Sequence, residues 1–153
     1  MNNKKPLRVV MLDLDGVIRV PSSGLVLTPD HFDFCPERIN SLAKVCRELN
    51  LKIVISSDWR NFGEREYIES LIPQLATYFH DDWMTPVLGH RYQEVGFWLM
   101  KHEPDNYVIL EDLVDTHFGD AGQEMKNRIV ECKTNEGLTS DRINMIYRLF
   151  GDV

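Results

Sequence analysis

The stretch Val9–Val17, which reads Val-Val-Met-Leu-Asp-Leu-Asp-Gly-Val, decides the fold of this chain. It is typical of a buried strand that ends in two carboxylates and a glycine. Because side chains alternate along a strand, Asp13 and Asp15 share one side, while Leu12 and Leu14 point to the other. Two such acids can act together: a carboxylate beside Mg²⁺ can attack phosphorus, while the other handles the proton of the leaving group and then of water. The alternative interpretation is a strand end with two solvated aspartates beside a turn.

Strand and helix patterns alternate along the rest of the chain. This alternation predicts an α/β fold with a mostly parallel sheet that is covered by helices on both faces. The predicted strands are 7–14, 52–55, 107–110 and an edge strand at 128–132. The predicted helices are 36–49, 64–71 (ended by Pro73), 91–100 and a last one capped by Thr139 or Ser140 that runs to about Phe150.

Between the first strand and the first helix, the sequence predicts a short β-hairpin. Its arms are residues 17–20 and 25–27, which flank the turn-rich segment 21–24, and residues 28–35 form a loop. The pair Asp81-Asp82 is interpreted as an exposed turn.

Polar residues follow the later predicted strands as they follow the first. Ser56 and Ser57 come after the apolar run 53–55, and Glu111 and Asp112 come after the strand at 107–110. Arg91 opens the helical run between them. The carboxyl ends of parallel strands form one edge of a sheet, so acids, hydroxyls and a base are expected to meet there.

In this order the four segments resemble the motifs of the haloacid dehalogenase (HAD) superfamily. The resemblance implies a Rossmann-like three-layer α/β/α sandwich with a small β-hairpin flap and no large cap domain, and it implies Mg²⁺ as cofactor. It assigns Asp13 as nucleophile, Asp15 as general acid and base, and Ser56 with Arg91 as ligands of the phosphoryl group. The other residues that it implies are Gly16, Ser57 and Arg60 for substrate binding, and Asp13, Asp15 (through its carbonyl), Glu111 and Asp112 for the metal.

Two residues depart from the pattern of that superfamily. Arg91 stands where relatives usually carry a lysine; it keeps the charge but carries it as a planar fork. Lys101 is the alternative base, ten residues further along the same helix. Glu111 stands where many relatives have aspartate, and its longer arm changes how a carboxylate reaches Mg²⁺.

A narrower resemblance is to the small, nearly capless branch of RNA-repair and polynucleotide-end phosphatases. The segments that carry it are Ser56-Ser57-Asp58-Trp59-Arg60, Arg91 with Glu94 and Trp98-Leu99, Leu110-Glu111-Asp112, and Glu136-Gly137-Leu138-Thr139. It covers roughly residues 8–150. The alternative for Trp59 and Arg60 is a helix-start anchor and a surface charge.

Composition fits a compact enzyme. The 153 residues suit one domain, residues 1–153 with a flexible start at 1–6, and no signal peptide or membrane span is expected, so we expect a cytoplasmic protein. Three cysteines without metal-binding spacing are expected to be reduced and mostly buried; they are Cys35, Cys46 and Cys132.

Net charge and aromatic side chains bear on the class of substrate. The net charge of −7 argues against long nucleic-acid tracts as ligands, but a phosphorylated small molecule or a short nucleic-acid end needs only a local positive spot. Aromatic side chains that could stack on a base are His31, Phe32, Phe34, Trp59, Tyr78, Phe79 and Trp83. The remaining histidines are spread along the chain and indicate no site; they are His80, His90, His102 and His117.

The sequence thus predicts a Mg²⁺-dependent, HAD-type phosphohydrolase. It would act through an aspartyl-phosphate on a phosphorylated nucleotide or polynucleotide end. The alternative is a non-catalytic protein that captures a nucleotide or a phosphate-bearing signal molecule in the same site. Phosphotransferase or dehalogenase chemistry is a third possibility, and the oligomeric state stays open.

Overall fold

A five-stranded parallel sheet forms the centre of the molecule in the computed structural model, which describes residues 5–21 and 29–151. Its strands are β1 (Arg8–Leu12), β4 (Leu51–Ile55), β5 (Phe79–Met84), β6 (Asn106–Glu111) and β7 (Ile129–Glu131). The spatial order is β5-β4-β1-β6-β7, so β1 lies between two neighbours and is hydrogen-bonded to both. The strand that carries the paired acids is therefore the middle strand.

Helices cover both faces of this sheet. They are α1 (Pro36–Leu49), α2 (Arg65–Leu71), α3 (Pro73–Ala76), α4 (Arg91–His102), α5 (Val114–Phe118), α6 (Gln123–Lys126) and α7 (Ser140–Leu149). The alternation along β1 separates the two layers: Val10 packs with α1, α2, α3 and α7, whereas Val9 packs with α4 and α5. The predicted three-layer α/β/α arrangement is confirmed.

The small antiparallel hairpin is present, but its second arm differs from the prediction. Strand β2 (Arg19–Pro21) pairs with β3 (Phe32–Phe34), which lies in the segment predicted as a loop. The predicted arm at 25–27 lies outside the described residues, as do residues 1–4 of the predicted flexible start. Strand β3 is only three residues long and has an aspartate in the middle, which is too short a pattern for a periodicity argument to identify.

Strand β5 was not predicted, and the interpretation of Asp81-Asp82 as an exposed turn is wrong. Both aspartates lie within β5, at the edge of the sheet. The Asp82 carboxylate contacts Lys101 and His102 of α4, and Trp98 Nε1 donates to the Asp82 carbonyl. An edge strand tolerates charge on its open side, so the sequence lacks the apolar run that identifies a central strand.

The four helices predicted from the sequence, α1, α2, α4 and α7, have boundaries close to those predicted. Helix α1 begins at Pro36, which fits the first turn because proline lacks the backbone donor that would be unused there. Pro73 ends α2 as predicted, but it also begins the short α3. Thr139 precedes α7 at the N-cap position, although its side chain makes no capping hydrogen bond. Among the described residues, no helix is long and apolar enough to cross a membrane.

Candidate active site

The candidate site is a cavity of about 350 Å³ at the carboxyl ends of β1, β4 and β6. Its lining residues are Asp13, Asp15, Phe32, Ser57, Asp58, Arg91, Asp112, Leu113, His117 and Thr134. The backbone ladder continues to this point, because Asp13 N donates to the Leu110 carbonyl and Ser56 N donates to the Leu12 carbonyl. The sheet therefore fixes the residues that follow its strands.

Asp13 is the most buried carboxylate that faces this cavity, with 6% of the residue exposed. Its Oδ1 accepts a hydrogen bond from Leu14 N at 2.9 Å. Burial raises the pKa of Asp13 well above its usual value, and the neighbouring Glu111 raises it further, whereas Arg91 lowers it. The carboxylate form of Asp13 thus depends on positive charge in its surroundings.

Three acids meet here and could hold a divalent cation. Asp13, Glu111 and Asp112 each offer one oxygen, and the three oxygens lie within 4.8 Å of one another. Carboxylate oxygens are the ligands that Mg²⁺ prefers, so this set of donors fits that ion. Asp112 lines the cavity, whereas Glu111 is fully buried behind it.

Asp112 is held in place by two neighbours. Thr134 Oγ1 donates to its Oδ2 at 2.8 Å. Gly16 lies so close that a Cβ at this position would come 2.1 Å from Asp112 Oδ2, and its φ of +80° also favours glycine. Burial raises the pKa of Asp112, while the Thr134 hydrogen bond lowers it. Gly16 therefore allows the turn after β1 to approach Asp112, which follows β6.

Arg91 is the cation of this cluster and is 7% exposed. Its Nη1 lies 3.8 Å from Asp13 Oδ1 and 3.5 Å from Glu111 Oε2. Its Nη2 lies 3.0 Å from Asp58 Oδ1, and its Nε lies 3.6 Å from Glu94 Oε1. Helix α4 begins at Arg91, so the first turn of that helix directs the guanidinium at the end of β1. The alternative base, Lys101, contacts Asp82 on β5 instead.

Arg60, which the resemblance assigns to substrate binding, does not line this cavity. Its guanidinium is almost fully buried and donates to the carbonyls of Ser56, Ser57, Thr85 and Pro86. Its Nη2 also lies 2.8 Å from Glu94 Oε1. The alternative interpretation of Arg60 as a surface charge is wrong, because the residue is buried. Its contacts join the end of β4 to the segment after β5.

Asp15 is held by a cation and an indole. Arg19 on β2 forms an ion pair with its Oδ1, and Trp59 Nε1 donates to its Oδ2 at 3.3 Å. The Arg19 guanidinium lies over two rings, 4.6 Å from the centroid of Trp59 and 5.2 Å from that of Phe34. The hairpin thus fixes the second aspartate, and Trp59 contacts an acid of the site.

The two serines after β4 differ in position. Ser57 lines the cavity, and its Oγ accepts a hydrogen bond from Trp59 N at 3.2 Å. Ser56 is fully buried, and its Oγ has no hydrogen-bond partner among the residues that the structure describes. Of the pair, Ser57 thus lies at the wall of the cavity, although only 2% of it is exposed, and Ser56, the predicted ligand of the phosphoryl group, lies outside the cavity lining.

Sequence reasoning missed two residues of the site. The sequence pattern assigns no site to His117, yet its Nδ1 lies 2.5 Å from Glu111 Oε1 and the residue lines the cavity. Thr134 was not singled out. His117 lies six residues after Glu111, which a short helix brings back toward the acid; for Thr134 the sequence offers no signal. Of the predicted stacking residues, Phe32 lines the cavity, whereas Phe79 and Trp83 pack with the core around β5.

The chain was compared with protein families and with curated proteins. No curated protein matches the chain significantly. Residues 9–143 match the family described as "HAD domain in Swiss Army Knife RNA repair proteins", a span that includes all four predicted motifs. The family points to a phosphatase-type hydrolase and generally uses Mg²⁺. The chain therefore belongs to the HAD superfamily, as a HAD domain of the kind found in RNA repair proteins.

Proposed function

We propose that this protein is a Mg²⁺-dependent phosphohydrolase that acts on a phosphorylated nucleotide or polynucleotide end. The observation that carries the proposal is the meeting of three carboxylates and one buried guanidinium beside a cavity. The family match supports a nucleic-acid end as substrate, since it joins this domain type to RNA repair. The net charge of −7 favours a short end over a long tract.

In the proposed reaction, Asp13 attacks the phosphorus and forms an aspartyl-phosphate, while the bond to the leaving oxygen breaks. The attack needs Asp13 as a carboxylate, and Arg91 favours that form electrostatically. Asp13, Asp112 and the Asp15 carbonyl would hold Mg²⁺, with Glu111 behind them. The ion, when bound, neutralises phosphate charge and orients the phosphoryl group.

Asp15 is proposed as the general acid and base. It donates a proton to the leaving oxygen, and it then takes a proton from the water that hydrolyses the aspartyl-phosphate. Its contacts with Arg19 and Trp59 support a fixed direction for this carboxyl group.

We propose that the phosphoryl oxygens bind Arg91 and the Ser57 hydroxyl, in place of the Ser56 hydroxyl predicted from the sequence. Both line the cavity that Asp13 faces. A guanidinium presents parallel donors that suit phosphate oxygens, so it can replace a lysine at this place. Arg60 does not line this cavity, and we propose that it supports the site by joining the end of β4 to Thr85 and Pro86.

One observation favours the non-catalytic alternative. Both oxygens of the Asp15 carboxylate already have partners, Arg19 at Oδ1 and Trp59 at Oδ2, so it can reach a leaving oxygen only after one of these contacts separates. A protein that only captures a phosphorylated ligand would not need that separation.

A phosphatase screen tests the proposal. Phosphate release is measured with Mg²⁺ on nucleotides, on oligonucleotides with a 5′- or 3′-phosphate, and on phosphopeptides, with Asp13→Asn as the control for contaminating phosphatases. We expect release from a nucleotide or an oligonucleotide end and none with Asp13→Asn. Tight binding of a phosphorylated ligand without release would favour the alternative, and equal release by the Asp13→Asn protein would contradict Asp13 as nucleophile.

A further inference from the structure

A second cavity, of about 290 Å³, adjoins the candidate active site. Both cavities are lined by Arg91 and His117, so a ligand whose phosphate lies beside Arg91 can extend from the first into the second. This volume is close to the lower end of the range for small-molecule sites, which begins at about 300 Å³. The cavity therefore suits a single ring system and not a folded oligonucleotide.

Two aromatic rings line this second cavity. His90 is exposed, while Tyr92 is half-buried and packs against the apolar cluster that contains Trp98. Their ring centroids lie 6.1 Å apart, and the rings are tilted by 42°. Gly89 has open space within 4 Å of where a Cβ would stand. Rings of this kind are the usual partners of an unstacked nucleobase.

The charged groups of the second cavity select against another phosphate. Asp115 and Asp120 line it, and both are exposed. Carboxylates repel phosphate oxygens, but they accept hydrogen bonds from the N–H groups of a base. The chemistry of this cavity thus fits an uncharged ring with N–H donors.

We propose that the second cavity binds the nucleobase of the nucleotide whose phosphate occupies the candidate active site, with His90 and Tyr92 as the stacking surface. The inference rests on the proposed function and names the part of the substrate that this site would recognise. The sugar would lie between the two cavities, beside Arg91 and His117.

The test compares ligands that differ only in the base. Short oligonucleotides carry a 5′- or a 3′-phosphate on a terminal nucleotide that bears adenine or is abasic, and their affinity for the Asp13→Asn protein is measured by calorimetry with Mg²⁺. We expect the adenine end to bind about 5- to 150-fold more tightly than the abasic end. His90→Ala is expected to reduce that preference, and His90→Trp to keep it, because a ring is retained. Phe97→Ala, an exposed aromatic on the same helix outside this cavity, is the matched control.

An equal affinity for adenine and abasic ends would overturn the inference, as would an unchanged preference in both His90→Ala and Tyr92→Ala. A Tyr92→Ala protein that fails to fold leaves His90→Ala decisive, since His90 is exposed. The readout is binding to a variant that lacks the nucleophile, so it does not depend on turnover. Absence of phosphate release by the unmodified protein refutes the proposed hydrolysis, whereas equal binding of adenine and abasic ends by the Asp13→Asn protein refutes the base site.

Discussion

Replacing Arg91 by alanine removes a buried positive charge 3.8 Å from Asp13 Oδ1. At an effective dielectric constant of about 20, two unit charges at this distance interact by about 4 kcal/mol. The part of this attraction that acts on the phosphoryl group in the transition state is expected to be about 2–4 kcal/mol, which corresponds to about a 30- to 1,000-fold lower rate. Arg91→Lys is expected to lose less, because the charge remains while the fork that reaches Asp13, Glu111 and Asp58 is lost.

The assay is phosphate release at saturating Mg²⁺, with kcat and KM determined separately. Because Arg91 also neutralises the buried Glu111 and Glu94, the alanine variant is expected to be less stable by about 3–5 kcal/mol, and urea unfolding must show that it is folded under assay conditions. Arg65→Ala, which breaks an ion pair with Glu69 on α2, is the control for loss of an arginine elsewhere. A folded Arg91→Ala protein with kcat within twofold of the unmodified protein would refute the role given to this residue.

Asp112→Asn is expected to raise the Mg²⁺ concentration for half-maximal activity by about tenfold or more, because a ligand carboxylate is lost; an unchanged Mg²⁺ titration would place the ion elsewhere. Ser57→Ala is expected to lower the rate, while Ser56→Ala, the matched control, leaves it within about twofold; a kinetic comparison in which Ser56→Ala is the more damaging would reverse our choice. Iodoacetamide at pH 8 is expected to modify Cys35 first, because burial raises the pKa of the other two thiols to about 12. Mass spectrometry should then find three adducts only after unfolding, and three adducts on the native protein would contradict the burial.

The sequence predicted the central sheet well because its strands are apolar on both faces. Buried parallel strands read as continuous apolar runs, as in β1 and β4, and the carboxyl ends of such runs locate Asp13 and the two serines. Strand β5 was missed because it lies at the edge of the sheet and carries aspartates. It is a strand because it pairs with β4, and its own composition does not indicate this. A periodicity argument has no access to that information.

The candidate site was predictable in its acids and in Arg91, because strand ends and a helix start can be located along the chain. The direction of a side chain within the site was not. The guanidinium of Arg60 donates to four backbone carbonyls, and only the folded chain brings those carbonyls together. The same reason explains His117, whose contact with Glu111 depends on the path of the chain into α5.

The position of β1 in the sheet has a consequence for how the site assembles during synthesis. The strand that carries Asp13 pairs with β4 and with β6, and the register joins Arg8 to both Leu51 and Asn106. Parallel neighbours need long crossover connections. Strand β1 is therefore synthesised first and cannot pair until β4 and β6 have also left the ribosome. A nascent chain that stops before Asn106 leaves one edge of β1 without its β6 partner and has neither Glu111 nor Asp112. We therefore expect ribosome-bound chains of that length to expose an apolar strand edge to chaperones and to bind no divalent cation at Asp13.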